Sequence, residues 1–158
     1  MNAISGDEFE DYIGRASRWI AEEQKCILLS GVPLTALQSA DALSIGVKHP
    51  ERVRLIQLEQ IGLPSDPVLL ELFRSLGLDK GTTWGRTFFY GIALRRECWD
   101  VRHKLAHELA HTKQYEELGS IDAFVRLYLT ECLPPAHYGQ GPLEREAQQV
   151  EERFHGLG

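Results

Sequence analysis

Apolar residues recur at helical spacing in the N-terminal part of the chain. Between residues 7 and 29 they lie three, four or seven positions apart, at Phe9, Ile13, Ala16, Ile20 and Ile27. This spacing places them on one side of a helix with about 3.6 residues per turn. We therefore expect an amphipathic helix that ends near Gly31, and a shorter helix over residues 34–45 that ends at Gly46.

Other patterns follow in the middle of the chain. Polar and apolar residues largely alternate over residues 52–58, which is typical of a strand with one buried face. Asp66 and Pro67 predict a helix start, because aspartate caps a first turn and proline suits the first helical position. This helix would end at Gly77. Residues 81–96 are rich in glycine, threonine and aromatic residues, and predict two short strands or one bent strand.

Three further helices are predicted toward the C-terminus. Asp100 and Ser120 are the expected N-caps of the first two, which would cover residues 101–118 and 121–133. The last helix would cover residues 142–154. Helices outnumber strands and do not alternate regularly with them. The pattern therefore predicts an α+β domain rather than a doubly wound parallel sheet.

The size and charge of the chain limit the kinds of function that can be expected of it. Its 158 residues suit one domain, which at this length needs neither a disulfide nor a metal to be stable. A bound metal would therefore serve chemistry. The net charge is −6, and basic residues are no denser than Arg95 with Arg96 or Arg52 with Arg54. This distribution argues against nucleic acid as a partner, because phosphate binding needs a clustered basic surface.

Cysteine usage and the N-terminal residues favour a cytoplasmic protein. Cys26, Cys98 and Cys132 are widely spaced, so we expect buried free thiols in a reducing compartment rather than disulfides. The N-terminus lacks a signal-peptide pattern. No apolar run approaches the roughly 20 residues needed to cross a bilayer, so no membrane association is expected.

The candidate chemistry lies in one pentapeptide, His107-Glu108-Leu109-Ala110-His111. Two histidines four residues apart on a helix are offset by roughly 40° and lie one turn apart, so both rings can face one metal ion. Imidazole is a common zinc ligand, and a glutamate directly after the first histidine can reach a water on the metal. We therefore expect Zn²⁺ as the cofactor, His107 and His111 as metal ligands, and Glu108 as the catalytic general base.

A catalytic zinc site needs a third protein ligand, and the residues nearest the motif are poor candidates. The metzincin pattern requires glycine at position 114 and histidine at position 117, where this chain has Gln114 and Glu117. His103 lies one turn before His107 but roughly 80° around the helix from His111, and one straight helix rarely supplies three ligands. We expect His103 to support a ligand or to be an ordinary polar residue.

Residues 142–147 read Pro-Leu-Glu-Arg-Glu-Ala. Together with the HELAH helix, this segment resembles the gluzincins, zinc peptidases whose third ligand is a glutamate on a later helix, often with alanine three residues further on. The resemblance implies that Glu144 is the third metal ligand. Ala147 would then be the small residue that lets the two helices approach closely. Glu146 is the second choice of ligand.

The resemblance extends over the C-terminal half of the chain. The order of elements from residue 81 onward is similar to that of small bacterial metallopeptidase-like proteins of unassigned substrate. It implies one zincin-like domain over residues 1–158, mostly helical, with a metallopeptidase-like core at 81–158 and an N-terminal helical segment at 1–46. Gluzincins often carry an aspartate four residues after the ligand, where this chain has Gln148. Gln148, or another group such as Asp122, would then orient a histidine.

These features predict a zinc-dependent metallopeptidase that hydrolyses peptide bonds in a peptide or protein substrate. A strand over residues 87–95 would pair with an extended substrate at the edge of the small sheet. The donor that stabilises the developing oxyanion stays open among Tyr138, His137, Tyr90 and Tyr115.

Two alternatives to an enzyme remain at this stage. The first is a non-catalytic zinc-binding module of zincin fold that binds a protein or peptide, which the small size of the chain favours. The second is a helical interaction domain without metal. If the protein is a peptidase, the N-terminal helix could keep its site latent, since the sequence suggests no other role for it. The sequence selects no oligomeric state.

Overall fold

The computed structural model describes residues 4–79, 83–133 and 141–157, which form six α-helices and four short strands. The helices are α1 (Gly6–Ser30), α2 (Ala36–Ile45), α3 (Pro67–Ser75), α4 (Arg102–Leu118), α5 (Ile121–Cys132) and α6 (Pro142–Phe154). The strands are β1 (Val32–Pro33), β2 (Arg54–Leu58), β3 (Gly85–Phe88) and β4 (Gly91–Arg95). The prediction of an α+β fold, mostly helical with a small sheet, is confirmed.

Side-chain caps explain where several helices begin. Asp66 and Ser120 accept hydrogen bonds from backbone N–H groups in the first turns of α3 and α5, as the sequence predicts. The prediction that Asp100 caps α4 is wrong, because the N-cap is Val101, which makes no side-chain cap bond. A 3₁₀ turn over Arg96–Cys98 precedes α4 and delays the helix by one residue.

The four strands form one sheet in the order β1-β2-β4-β3. β2 pairs with β4 in parallel, and β3 and β4 form an antiparallel hairpin. The segment 81–96 therefore forms two strands where it is described. The expectation of an edge strand over residues 87–95 is wrong for residues 91–95, because β4 lies between β2 and β3. The edge strands of the sheet are β1 and β3, and β3 is the one that lies within residues 81–96.

Two apolar cores lie on opposite faces of this sheet, because successive side chains of a strand point to opposite sides. Ile92 and Leu94 of β4 join a core formed with α2, α4 and α6. Ala93, between them, joins a second core formed with α1, α3 and α5. α4 contributes to both cores and packs against α6, where Ala147 is fully buried.

Cysteine exposure departs from the expectation at one position. Cys98 and Cys132 are buried free thiols, but Cys26 is exposed. Neighbouring residues on a helix point about 100° apart, so the burial of Ile27 in α1 leaves Cys26 facing solvent. Within the described ranges, no helix combines the length and apolar character needed to cross a bilayer.

Candidate metal centre

The facing sides of α4 and α6 bring together the three residues predicted as metal ligands. His107 and His111 lie one turn apart on α4, and Glu144 lies in the first turn of α6. Glu144 Oε2 is 3.5 Å from His107 Nε2, and Glu144 Oε1 is 3.1 Å from His111 Nε2. The three candidate ligand atoms lie within 4.8 Å of one another. Among the described residues, no other group of three or more His, Cys, Asp or Glu side chains meets this criterion.

These distances and donor types fit zinc. Tetrahedral zinc with bonds of about 2.0–2.1 Å keeps its ligand atoms about 3.4 Å apart. The nitrogen–oxygen distances of 3.5 and 3.1 Å differ from that spacing by a few tenths of an ångström, and they join the two histidines to different oxygens of Glu144. Two imidazoles and one carboxylate are the donor set of a catalytic zinc site that keeps one position open for water.

The second nitrogen of each histidine ring has its own oxygen partner. His107 Nδ1 is 2.9 Å from Glu151 Oε1, and His111 Nδ1 is 2.8 Å from Gln114 Oε1. An ionised carboxylate and an amide oxygen only accept hydrogen bonds, so each ring donates from Nδ1. The lone pair of each neutral ring is then on Nε2, which faces Glu144. Both rings are thus held in the tautomer that binds a metal at Nε2.

Gln114 connects the two helices at this point. The residue is 2% exposed, and its amide nitrogen donates to the Leu143 carbonyl at 2.9 Å and to Glu146 Oε1 at 2.8 Å. Because the amide nitrogen has these two acceptors, the amide oxygen must face His111. A contact inside the α4–α6 interface therefore sets the orientation of one candidate ligand.

Negative charge dominates the centre. Burial alone would lower the pKa of His107, but its contact with Glu144 and the charge of Glu108 outweigh burial and raise the pKa to about 9. The pKa of His111 is raised in the same way by Glu144 against the effect of burial. Burial would raise the pKa of Glu144, yet the two histidines hold it well below its usual range. The centre therefore favours a cation, whether protons on the rings or a metal ion between them.

Glu108 lies beside the centre and is positioned by the edge strand. The hydroxyl of Thr87 on β3 lies 2.8 Å from Glu108 Oε1 and 3.0 Å from the Glu108 carbonyl oxygen. Glycine at position 85 leaves room for this carboxylate, because a Cβ there would come within 3.2 Å of Glu108 Cγ. Glu108 is 8% exposed, so it is largely shielded from bulk solvent.

Two cavities adjoin the centre, and both are lined by His107, Glu108 and Glu144. The polar cavity, of about 240 Å³, also has Lys104 and Glu151 in its wall. The apolar cavity, of about 180 Å³, is also lined by residues of α1, α3 and α5, among them Trp19, Ile20, Leu69, Leu72, Phe124 and Leu129. Glu108 is thus accessible from cavities that also reach the candidate ligands.

Other residues considered as ligands lie away from the centre. Glu146 accepts from Gln114 and pairs with Lys113 at 3.3 Å, so it is not part of the ligand group. His103 packs beside the ring of His155, with ring centroids 4.5 Å apart. The expectation that Gln148 or Asp122 orients a histidine is not met, because Glu151 and Gln114 occupy the Nδ1 positions.

The four residues predicted as oxyanion donors differ in their position relative to the centre. Tyr90 donates to Glu116 and lies outside both cavities. Tyr115 lines the apolar cavity, but it is 1% exposed and its hydroxyl donates to the Thr87 carbonyl at 3.4 Å. Tyr138 and His137 lie outside the described residues.

Sequence reasoning missed three residues that contact the ligands. Glu151 and Gln114 bind the histidine rings, and the Tyr128 hydroxyl on α5 donates to Glu144 Oε1 at 3.3 Å. Two of them carry a recognisable signal, because Gln114 lies three residues after His111 and Glu151 seven after Glu144, on the same helical faces. No such signal exists for Tyr128, because only the tertiary fold places α5 beside Glu144.

Comparisons with known proteins identify no family for this chain. No protein-family model, curated protein or solved structure matches the chain. The resemblance to gluzincins, and with it the zincin-like fold, stays a prediction from the sequence.

Proposed function

We propose that this protein is a zinc-dependent peptidase, with His107, His111 and Glu144 as metal ligands and Glu108 as the general base. The observation that carries the proposal is the pairing of an oriented ligand group with an adjoining carboxylate. Each histidine ring has an oxygen acceptor on Nδ1, and Glu108 lines the same cavities as the ligands. A metal site without catalytic use would not require that carboxylate.

Zinc bound at these ligands would supply Lewis acidity, which acidifies its water and polarises a carbonyl. Thr87 lies within hydrogen-bonding distance of Glu108 Oε1, which leaves the other carboxylate oxygen to accept a proton from water. The water oxygen bonds to the carbonyl carbon and the carbon–nitrogen bond breaks. Glu108 passes the proton that it accepted to the leaving nitrogen, so the products are a carboxylic acid and an amine.

The outer side of β3 supports a peptide as the substrate. Arg95 N donates to the Trp84 carbonyl, so the backbone groups of residue 84 face β4. Along an antiparallel strand, the backbone N–H and C=O groups of successive residues point alternately toward and away from the neighbouring strand. The backbone groups of Gly85 and Thr87 therefore point away from β4. Both residues line the apolar cavity beside Glu108. The Thr87 carbonyl already accepts from the buried Tyr115 hydroxyl, so Gly85 is the position at which an extended peptide would pair and bring its carbonyl groups to the centre.

Metal content and turnover test the proposal together. The purified protein should contain an equimolar amount of zinc by elemental analysis, and His107→Ala should lose it. Cleavage of denatured proteins, followed by mass spectrometry, should stop on chelation and return with added zinc. Glu108→Gln should keep the metal and lower kcat about 10²–10⁴-fold, the usual contribution of a general base.

Glu117→Gln is the matched control, because it makes the same change at an exposed position of α4. It should leave both metal content and turnover unchanged. A protein without zinc affinity would contradict the metal centre. Zinc binding without turnover on any substrate would instead favour the non-catalytic module that binds a peptide or protein.

A further inference from the structure

We infer that the apolar cavity is the specificity pocket of the site and that it takes a large apolar side chain of the substrate, aromatic or branched aliphatic, next to the scissile bond. This inference rests on the proposed function, which by itself says nothing about the substrate side chain. It concerns residues of α1, α3 and α5 that bind no metal.

The apolar cavity is lined both by the residues of the candidate centre and by an apolar wall. His107, Glu108, His111 and Glu144 contribute to the lining. The rest of the wall consists mainly of apolar and aromatic side chains from α1, α3, α5 and β3. A group that reaches from a carbonyl at the metal centre into this cavity would therefore leave water and enter an apolar environment.

The volume of the cavity matches one side chain. An apolar protein cavity of about 150 Å³ is large enough to bind benzene. At about 180 Å³, this cavity has room for a phenyl ring or the branched end of a leucine. Native interiors are close-packed with few such voids, so a cavity of this size that opens beside candidate ligands is better explained as a site than as a packing defect.

The walls of the cavity are ordered by packing between elements. The ring of Trp19 on α1 makes edge contacts with Phe73 of α3 and Phe88 of β3, at centroid distances of 5.3 and 5.2 Å. Arg86 lies with its guanidinium 5.3 Å from the centre of the Phe73 ring and donates to the Gly62 carbonyl. The pocket is therefore formed before any substrate arrives.

The lining is also unfavourable for charged side chains of a substrate. Apart from the ligands and Glu108, the charged residue in the wall is Arg86, which is held against aromatic rings. An aspartate or lysine side chain among the apolar lining residues would lose its hydration, and the Arg86 guanidinium already contacts two aromatic rings and the Gly62 carbonyl. The pocket should therefore discriminate against acidic and basic residues as well as against small ones.

A single added side chain can test the pocket without touching the metal centre. Ala16 on α1 lines the cavity and is 7% exposed, so Ala16→Leu places three more carbon atoms inside it. Ala21→Leu is the matched control, because it makes the same change at an exposed position of the same helix. Circular dichroism and zinc content should show that both variants keep the fold and the metal.

The first measurement needs no catalysis. Fluorobenzene, followed by fluorine NMR, should bind the wild-type protein and Ala21→Leu, and bind Ala16→Leu at least tenfold more weakly. Absence of binding to the wild-type protein, or equal binding to both variants, would overturn the pocket whether or not the protein is an enzyme. If Ala16→Leu fails to fold, Leu129→Ala replaces it and should enlarge the cavity, with tighter binding of a larger probe such as naphthalene.

The second measurement compares peptides that differ only at the residue beside the scissile bond. Phenylalanine or leucine there should give a kcat/KM about 10–100-fold higher than alanine, with aspartate lower still. Ala16→Leu should remove most of this preference, and Ala21→Leu should retain it. Cleavage without preference, or a preference that Ala16→Leu leaves intact, would overturn the inference and leave the proposed function standing.

If no zinc and no cleavage are found, the proposed function fails, and binding decides the inference by itself. Fluorescence anisotropy with labelled forms of the same peptides then measures their affinity for the protein. Preference for the phenylalanine peptide that Ala16→Leu abolishes would support the pocket as a peptide-binding site. Equal affinities for all peptides would overturn it.

Discussion

Both histidines of the candidate metal centre use their two ring nitrogens for different tasks. Nε2 faces Glu144, and Nδ1 donates to Glu151 in one ring and to Gln114 in the other. The contacts at Nδ1 matter because an imidazole without them can rotate and can change its tautomer. A metal site needs one ring orientation and one tautomer. Glu151 is in turn paired with Lys104 at 3.0 Å, so its own carboxylate is held in place.

The residue-scale prediction concerns Glu151. Glu151→Ala should keep the three ligands but lower zinc affinity about 10–100-fold, because the His107 ring loses the acceptor that orients it. Competition with a chromogenic chelator measures the change. Glu152→Ala is the matched control, since its side chain is exposed on the neighbouring position of α6. Equal affinities in the two variants would show that Glu151 only stabilises the helix pair.

At the scale of elements, the site is formed where three elements approach closely. α6 packs closely against α4 because the small residue Ala147 is fully buried between them. Ala147 lies three residues after Glu144, as the sequence pattern suggested. β3 reaches α4 because position 85 is glycine. A Cβ there would lie 3.1 Å from the Ala93 carbonyl and 3.0 Å from Leu94 Cδ2, as well as against Glu108.

The element-scale prediction is that Gly85→Ala separates turnover from metal binding. The methyl group would lie 3.0–3.2 Å from Leu94, Ala93 and Glu108, so these neighbours, Glu108 among them, must give way by a few tenths of an ångström. Displacement of a catalytic group by about 1 Å costs on the order of 10²-fold in rate. A displacement of a few tenths of an ångström should lower kcat/KM by a smaller factor, about 3–10-fold, and leave zinc content unchanged.

Gly62→Ala is the matched control, because a Cβ at position 62 meets nothing within 4 Å. This variant should retain wild-type kinetics. Loss of zinc in Gly85→Ala would show instead that the whole centre, and not Glu108 alone, depends on the position of β3.

At the scale of the whole molecule, the N-terminal helix is a core element. Ile13, Ile20 and Ile27 of α1 are at most 9% exposed and pack in the second core. Ala16 and Trp19 of the same helix line the apolar cavity. The idea that α1 keeps the site latent rested on the lack of another role for this helix, and the structure supplies two such roles.

The whole-molecule prediction follows from this burial. Removal of residues 1–30 deletes the three isoleucines and exposes the apolar surface that they cover. The lost burial lowers the free energy of unfolding by roughly 1.5–3 kcal/mol for each isoleucine. The total is comparable with the 5–15 kcal/mol, roughly, by which domains are stable. We expect the truncated chain to lose cooperative thermal unfolding, as monitored by circular dichroism. A cooperative transition close to that of the full chain would show that α1 is dispensable.

Local sequence patterns were sufficient to predict the helices and one face of the candidate centre. Capping residues and apolar spacing predicted all six described helices, with small errors at their ends, because helices depend on contacts within a few residues. The spacing of His107 and His111 placed both rings on one face of α4 for the same reason. Glu144 was reached through the register of Pro142 and Ala147 and a resemblance, and the structure places it beside both rings.

The way in which these faces meet depends on contacts between residues far apart in the chain. Gln114 served in the sequence only to argue against a metzincin, yet it holds His111 and joins α4 to α6. β1 has no local signal and exists because Val32 pairs with Leu55. Tyr128, the edge position of β3 and the apolar cavity likewise depend on the relative rotation and distance of whole elements. Those quantities are set by the packing of both cores at once, so no short stretch of the chain encodes them.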